Sequence, residues 1–419
     1  MTDILDELQW RGLVAQTTDE AALRTALDDG LSVYCGFDPT APSLHFGNLV
    51  QLVVLRHLQR AGHRVFCLVG GSTGQIGDPR PTAERVLKTK EQTADWVARI
   101  AAQVRPFLDF EGDNPAVLVD NLDWTRDMTV LDFLRDVGKH FRVNQMIKKD
   151  AVAARLNSDE GISYTEFSYQ LLQGLDFLHL FREHGVTLQT GGNDQWGNLT
   201  AGVDLVHKVE GASVHLLTTP LVTDSAGNKF GKSEGNAVWL DASMTSPYAF
   251  YQYWLNVEDA SVVQLLKVFT DRTREEVAAL EAEVAERAFA REAQRALARD
   301  VTTLVHGAGA AAAVEAASQA LFGRGELRDL DERTLADAAA ELPSARVGRD
   351  GLAVIDLLVA TGLAASRSAA RRTVEEGGAY VNNAKVTDVD AGLADDDLLH
   401  GRWAIVRRGR RTLGAVEVV

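Results

Sequence analysis

Four groups of residues combine types and spacings that could do chemistry. The first runs from Thr40 to Gln51, across a turn into a helix. A helix N-terminus offers unpaired backbone N–H groups and partial positive charge, so anions settle there. His45 and Asn48 stand three apart in that first turn and share one side. Gly47 between them leaves room for a flat ligand to approach the backbone. The plainer alternative is a helix capped by Ser43 with an incidental histidine. The second group is residues 227–233, reading Gly-Asn-Lys-Phe-Gly-Lys-Ser. Lys229 and Lys232, followed by Ser233, suit a polyphosphate whose charge shifts during reaction. A P-loop needs a glycine five residues before its Gly-Lys-Ser ending; position 226 is alanine, so that motif is set aside and a surface loop is the alternative.

The third group is Tyr169, Gln173 and Asp176, which fall at i, i+4 and i+7 and form one line on a helix. Leu171, Leu172, Leu175 and Leu178 occupy its other faces, so the line reads as a pocket wall or a solvent-facing stripe. The fourth is Gly191, Gly192, Asn193, Asp194 and Gln195, directly after an apolar run. Tyr34, Cys35 and Gly36 end another such run, and Asp78 follows a glycine turn after a third. In open α/β sheets, ligands bind at the carboxyl ends of parallel strands. No Ser-His-Asp triad and no metal-ligand spacing emerges, so no metal site is expected.

The elements that must position these groups follow from periodicity. Residues 31–37 read as a buried strand, 49–58 as an amphipathic helix stopped by Gly62, and 64–69 as a second strand. Strand, crossover helix and strand make a βαβ unit and imply a parallel sheet. Residues 92–108, 130–137, 164–181 and 197–209 read as helices; 116–119, 186–189 and 214–222 read as strands; 223–236 is a polar loop. The fold class expected is α/β, a Rossmann-like doubly wound parallel sheet over residues 1–247. An α-helical domain follows at 248–322, rich in Ala, Glu and Arg. A connector is expected at 323–351 and a small α+β domain at 352–419, with helices at 354–361 and 366–376 and strands near 379–381 and 403–407.

With 419 residues, 46 % hydrophobic and 24 % charged, the chain is long enough for two or three domains. Collagen, disordered and disulfide-stapled classes are excluded. The apolar runs are too short to cross a bilayer, so no membrane role is expected. Asp3, Asp6 and Glu7 give the start the wrong charge for a secretory signal, and Cys35 and Cys67 form no CxxC pair; the expected address is cytoplasmic. The net charge of −16 argues against a generally basic surface. Arg402, Arg407, Arg408, Arg410 and Arg411 nevertheless cluster near the C-terminus, as a nucleic-acid patch or a solvated hairpin.

Taken together these residues resemble the bacterial tyrosyl-tRNA synthetases of class I. His45-Phe-Gly-Asn48 resembles the first class signature, usually His-Ile-Gly-His, and Lys229-Phe-Gly-Lys-Ser233 resembles the second, Lys-Met-Ser-Lys-Ser. They stand in the right order, with Asp78 and the Tyr169/Gln173/Asp176 helix between them, and the likeness spans nearly the whole chain. The resemblance implies that Tyr34 and Asp176 hydrogen-bond the phenol of L-tyrosine. Asp78, Tyr169 and Gln173 would hold its ammonium group, with Gln195 nearby. Cys35, Gly36, Asp38, Gly47, Asn48, Gly192, Asp194 and Gln195 would line ATP and the reacting carboxylate. Thr40, His45, Lys229, Lys232 and Ser233 would meet the leaving pyrophosphate, and Arg85 matches the loop arginine.

Two positions depart from the family pattern: Asn48 replaces the commoner histidine, and the loop from Asp78 to Arg85 lacks a lysine, for which Arg80 is a candidate replacement. The resemblance continues after Leu352 as an S4-like RNA-binding domain, with Arg367, Arg371, Arg372, Arg407, Arg408, Arg410 and Arg411 as its candidate contacts. It further implies ATP as substrate with Mg²⁺, no tightly bound cofactor, tRNA(Tyr) as partner, and a homodimer with residues 130–146 and Tyr164 near the interface. The alternatives are a class I synthetase for another aromatic amino acid and a catalytically inactive RNA-binding paralogue. Tyr34 and Asp176 speak against an indole substrate, and intact signatures speak against the paralogue.

Overall fold

Five short apolar runs become the parallel core of one sheet: β2 (Ser32–Phe37), β3 (Arg64–Val69), β4 (Val117–Asp120), β5 (Val186–Gly192) and β6 (His215–Thr219), with a two-residue edge strand β1 (Gln16–Thr17) antiparallel to β6. The computed structural model describes residues 3–223, 232–233, 236–350 and 352–419, the side chains of Lys232, Ser233 and Asn236 excepted. The strand order is β1-β6-β5-β2-β3-β4. From β2 the chain winds outward through β3 and β4, then returns to the other side of β2 for β5 and β6. The order therefore reverses between β2 and β5, where a crevice opens at the carboxyl ends. Residues 65–69 of β3 are all buried, as expected of a strand covered on both faces.

The helix Phe46–Arg60 connects β2 to β3, and the predicted apolar positions Leu49, Leu52, Val53, Leu55 and Leu58 are all buried. Its N-cap is His45 rather than Ser43. The His45 ring Nδ1 accepts from the Gly47 N–H at 2.9 Å, and Asn48 Oδ1 accepts from the His45 N–H at 3.1 Å. Ser43 instead donates to the Leu44 carbonyl. The helix Tyr164–His184 starts at the Ser163 cap and stops at Gly185, whose left-handed φ of 64° suits glycine. Residues 130–137 form one α-turn, Val130–Asp132, and a π-turn, Phe133–Val137, in place of a regular helix; Val130 and Leu131 are 74 % and 77 % exposed.

The chain forms two compact units, Met1–Met244 with Ala260–Ala282, and Thr245–Asp259 with Glu283–Val419. Within the first, the 260–282 segment is tied to the N-terminal helix Ile4–Trp10: Arg11, at its end and 4 % exposed, donates to the carbonyls of Lys267 and Thr270. In the second, the helix Glu292–Leu321 reverses at Gly307 (φ 86°, ψ 160°), which lets Arg299 pair with Glu315 sixteen residues on.

The 323–351 segment is more ordered than a connector. It contains the helix Glu332–Ala340, with Leu335, Ala338 and Ala339 buried, and the strand Ser344–Val347. That strand is the parallel edge of a sheet completed by Thr412–Val418, Trp403–Arg408, Ala379–Val381 and Ala384–Lys385, otherwise antiparallel. Helices Val354–Ala360 and Arg367–Glu375 cover it through Leu357, Leu358, Ala370 and Val374. Among the described residues, no helix is long and apolar enough to cross a membrane.

Candidate active site

The crevice at the β2/β5 switch is a cavity of about 370 Å³. It gathers Tyr34, Cys35, Gly36, Asp38, Thr40, His45, Gly47, Asn48, Asp78, Arg85, Tyr169, Gln173, Asp176, Gly192, Asp194 and Gln195, every predicted small-molecule site residue up to Gln195. β2 brings Tyr34 to Gly36, the start of Phe46–Arg60 brings His45 to Asn48, and Tyr164–His184 brings Tyr169, Gln173 and Asp176. Lys229 lies outside the described residues. The backbones of Lys232 and Ser233 form a short strand paired with Asn236–Ala237. Arg80 is exposed and does not line the cavity.

At one end lie two buried groups. Tyr34 is 1 % exposed, with its ring 5.3 Å from that of Phe177, and its hydroxyl has no hydrogen-bond partner among the described residues. Asp176 accepts from Asn121 Nδ2 and from Trp124 Nε1, both at 3.0 Å. Burial raises the Asp176 pKa to about 8, against the pull of those two donors, and pushes the Tyr34 phenol well above its ordinary value.

Next to this end, Asn121 Nδ2 also donates to Thr73 Oγ1, which donates to Asp38 Oδ1 at 2.6 Å; Tyr169 donates to Asp38 Oδ2 at 2.7 Å. Gly70 makes this possible, because a Cβ there would collide with both Asp38 and Thr73. Asp78 accepts from Gln195 Nε2 at 3.2 Å, Asn198 Nδ2 at 3.0 Å and Lys149 Nζ at 3.3 Å. Gln173 Oε1 is buried and unpartnered among the described residues. Asp38, Asp78 and Gln173 thus set acceptor oxygens around one opening, with Asp78 already paired to Lys149 and the Gln173 oxygen left open.

The other end is lined by Cys35, Thr40, His45, Gly47 and Asn48. Gly47 has its missing side chain filled by the His45 ring, and Cys35 contacts Gln51 at 3.8 Å while Gln51 donates to Thr219 at 2.7 Å. Burial pushes the Cys35 thiol up to about 12, so it stays protonated and is no nucleophile. Arg85 points inward, its Nε on the Asp78 carbonyl at 2.9 Å.

Asn121, Trp124, Thr73, Lys149 and Asn198 were not found from sequence. Asn121 directly follows β4, so extending the carboxyl-end rule to that strand would have reached it; the others carry no spacing signal.

The C-terminal arginines divide into those held by the fold and those left outside it. Arg402 and Arg346 both pair with the buried Glu417, which takes Arg402 out of the basic cluster. Arg407 stacks on Tyr380 at 4.3 Å, Arg408 donates to the Leu363 carbonyl, and Arg367 and Arg371 face Asp356 and Asp390. Among the described residues, Arg372, Arg410 and Arg411 are exposed and make no ion pair.

Residues 27–323 match the model of the class I tRNA synthetases (W and Y), and residues 334–415 match the tyrosine–tRNA ligase SYY-like C-terminal domain. The tyrosine–tRNA ligase of Streptomyces coelicolor is 63 % identical over 420 residues, covering 100 % of this chain and 99 % of that protein. That of Corynebacterium glutamicum is 55 % identical, covering 100 % of both. Among solved structures, a C-terminally truncated mitochondrial tyrosyl-tRNA synthetase of Coccidioides posadasii aligns at a TM-score of 0.67 and 31 % identity, over 75 % of this chain and 91 % of its own. A Plasmodium falciparum tryptophanyl-tRNA synthetase shares the fold at a TM-score of 0.55 and 12 % identity, over 79 % and 87 %.

Sheet order, crevice and signatures thus define a class I aminoacyl-tRNA synthetase. Within that class, the chain belongs to the tyrosine–tRNA ligase family.

Proposed function

We infer that the chain joins L-tyrosine to ATP, giving tyrosyl-adenylate and pyrophosphate, and then transfers the tyrosyl group to the 3′-terminal ribose of tRNA(Tyr). The observation that carries this reading is the buried pair Tyr34 and Asp176. A phenol hydroxyl both donates and accepts, so it can donate to Asp176 and accept from Tyr34 at once. A phenyl ring would leave the Tyr34 hydroxyl unpaired and Asp176 with only its Asn121 and Trp124 donors, and an indole has no oxygen to offer.

Asp78, with Tyr169, Gln173 and Gln195, takes the substrate ammonium. Cys35, Gly36, Asp38, Gly47, Asn48, Gly192 and Asp194 hold the nucleotide against the substrate carboxylate. No side chain attacks. The carboxylate oxygen bonds to the α-phosphorus as the bond to pyrophosphate breaks in line, and the protein contributes position and charge. Thr40, His45, Arg85, Lys229, Lys232 and Ser233 meet the departing pyrophosphate. Mg²⁺ enters on the ATP phosphates.

Residues 1–247 form the catalytic part and 352–419 the RNA-binding part, where Arg367, Arg371, Arg372, Arg407, Arg408, Arg410 and Arg411 follow the tRNA backbone. The exposed Val130, Leu131, Leu134, Val143 and Tyr164 are the face a second copy covers, making a cytoplasmic homodimer. The test is ATP–pyrophosphate exchange with each of the twenty amino acids in turn. Exchange with tyrosine alone is expected; exchange driven by another amino acid, or by none, contradicts the reading.

A further inference from the structure

Residues 79–89 run to the helix Lys90–Val104 without regular structure. Most of their side chains are exposed, but Arg85 turns into the cavity. A segment with no ladder or helix of its own must be held from outside if its side chains are to be placed. Among the described residues, the backbone of residues 79–88 takes hydrogen bonds from one place only, the ion pair of Arg155 and Glu166. Glu166 Oε1 accepts the Arg85 N–H at 2.6 Å, and Oε2 accepts from Arg155 Nη1 at 2.9 Å. The same Nη1 reaches the Arg80 carbonyl at 3.5 Å, and Arg155 Nε donates to the Gly161 carbonyl at 2.9 Å.

Both side chains are 1 % exposed. A wholly buried ion pair is a poor device for stability, because desolvation offsets the attraction and packed apolar side chains do as well. Arg155 Nη2 adds to the cost, being buried with no acceptor among the described residues. The helix cap points the same way. Ser163 accepts the Glu166 N–H, so Ser163 and Glu166 have capping-box spacing, in which the glutamate normally turns back to the N-cap N–H. Glu166 crosses to Arg85 instead. Its helix, Tyr164–His184, is the one that carries Tyr169, Gln173 and Asp176.

We propose that Arg155 and Glu166 are positioning residues that clamp the 79–88 loop to the amino-acid-binding helix and thereby hold Arg85 at the phosphate end of the cavity. The clamp rests on the assignment of Arg85 to the ATP side. The experiment compares Arg155→Met/Glu166→Leu, Glu166→Gln and Arg85→Ala in tyrosine-dependent pyrophosphate exchange, alongside equilibrium binding of tyrosine without ATP. The apolar double variant keeps a filled interior and removes both anchors. It raises the KM for ATP about tenfold while the tyrosine dissociation constant stays within about twofold. Glu166→Gln, which keeps one acceptor oxygen, moves ATP in the same direction by less, and it gives the same split if the double variant does not fold. A wild-type KM for ATP in both clamp variants, with Arg85→Ala raising it, overturns the clamp and leaves the Arg85 assignment standing. Unchanged ATP kinetics in Arg85→Ala overturns that assignment and the clamp with it. Equal losses for tyrosine and ATP would mark the pair as general scaffolding and overturn the proposal as well.

Discussion

Asn121 Nδ2 lies 3.0 Å from Asp176 Oδ2 and donates to it, while the same nitrogen stands 2.9 Å from Thr73 Oγ1. One fully buried amide thus ties the Tyr34–Asp176 end of the cavity to the Asp38–Tyr169 pair. Replacing it, Asn121→Ala, removes a donor that favours ionised Asp176 and frees the carboxylate to rotate. The expected result is a KM for tyrosine raised about tenfold, with the KM for ATP little changed, read by pyrophosphate exchange.

Asp176 also makes stability depend on pH. Its folded pKa, raised to about 8 mainly by burial, stands above the unfolded carboxylate value. The folded state therefore holds the proton more tightly. The resulting stabilisation is full below the unfolded pKa near 4 and is lost as pH rises through about 8. The melting temperature of the wild type relative to Asp176→Asn is expected to fall between pH 5 and pH 9. A constant difference across that range contradicts the assignment.

Much of this was legible in the sequence. The βαβ start, the Tyr164–His184 helix and the cavity residues on them could be read because each lies in a local pattern: an apolar period, a glycine turn, a signature. Asn121 is reachable only as the residue that follows β4, and Trp124, Lys149 and Asn198 are not, since each is a single polar residue delivered to the site by tertiary folding. The strand Thr412–Val418 was missed because it is buried at every position from Leu413 to Val418, which erases alternation. Gly414 interrupts it where a Cβ would meet Leu363 and Thr361. Residues 332–340 were passed over because alanine supplies a helix with little apolar contrast; burial of Leu335 against the unit's interior settles it.

Leu131 is 77 % exposed beside the equally open Val130. The proposed homodimer predicts that the wild type sediments as a dimer at micromolar concentration and that Leu131→Glu stays folded but sediments as a monomer. A wild-type sedimentation profile would place the interface elsewhere.

Arg410 and Arg411 stand exposed at the turn between the strands Trp403–Arg408 and Thr412–Val418. The paired change to Glu is expected to raise the KM for tRNA about tenfold or more and flatten its salt dependence, with tyrosine-dependent pyrophosphate exchange unchanged. Equal loss in both assays would argue against an RNA-specific role.

Whether Tyr34 and Asp176 read a phenol hydroxyl is decided by kcat/KM in pyrophosphate exchange for tyrosine and for phenylalanine, in the wild type and in Tyr34→Phe. The buried Tyr34 hydroxyl left unpaired, at roughly 1–3 kcal/mol, together with the lost phenol donor to Asp176, predicts a wild-type preference for tyrosine of about a hundredfold or more. Tyr34→Phe should shrink that preference by lowering the tyrosine value and sparing phenylalanine. Near-equal use of the two amino acids by the wild type, or an unchanged ratio in Tyr34→Phe, would contradict that role of the pair.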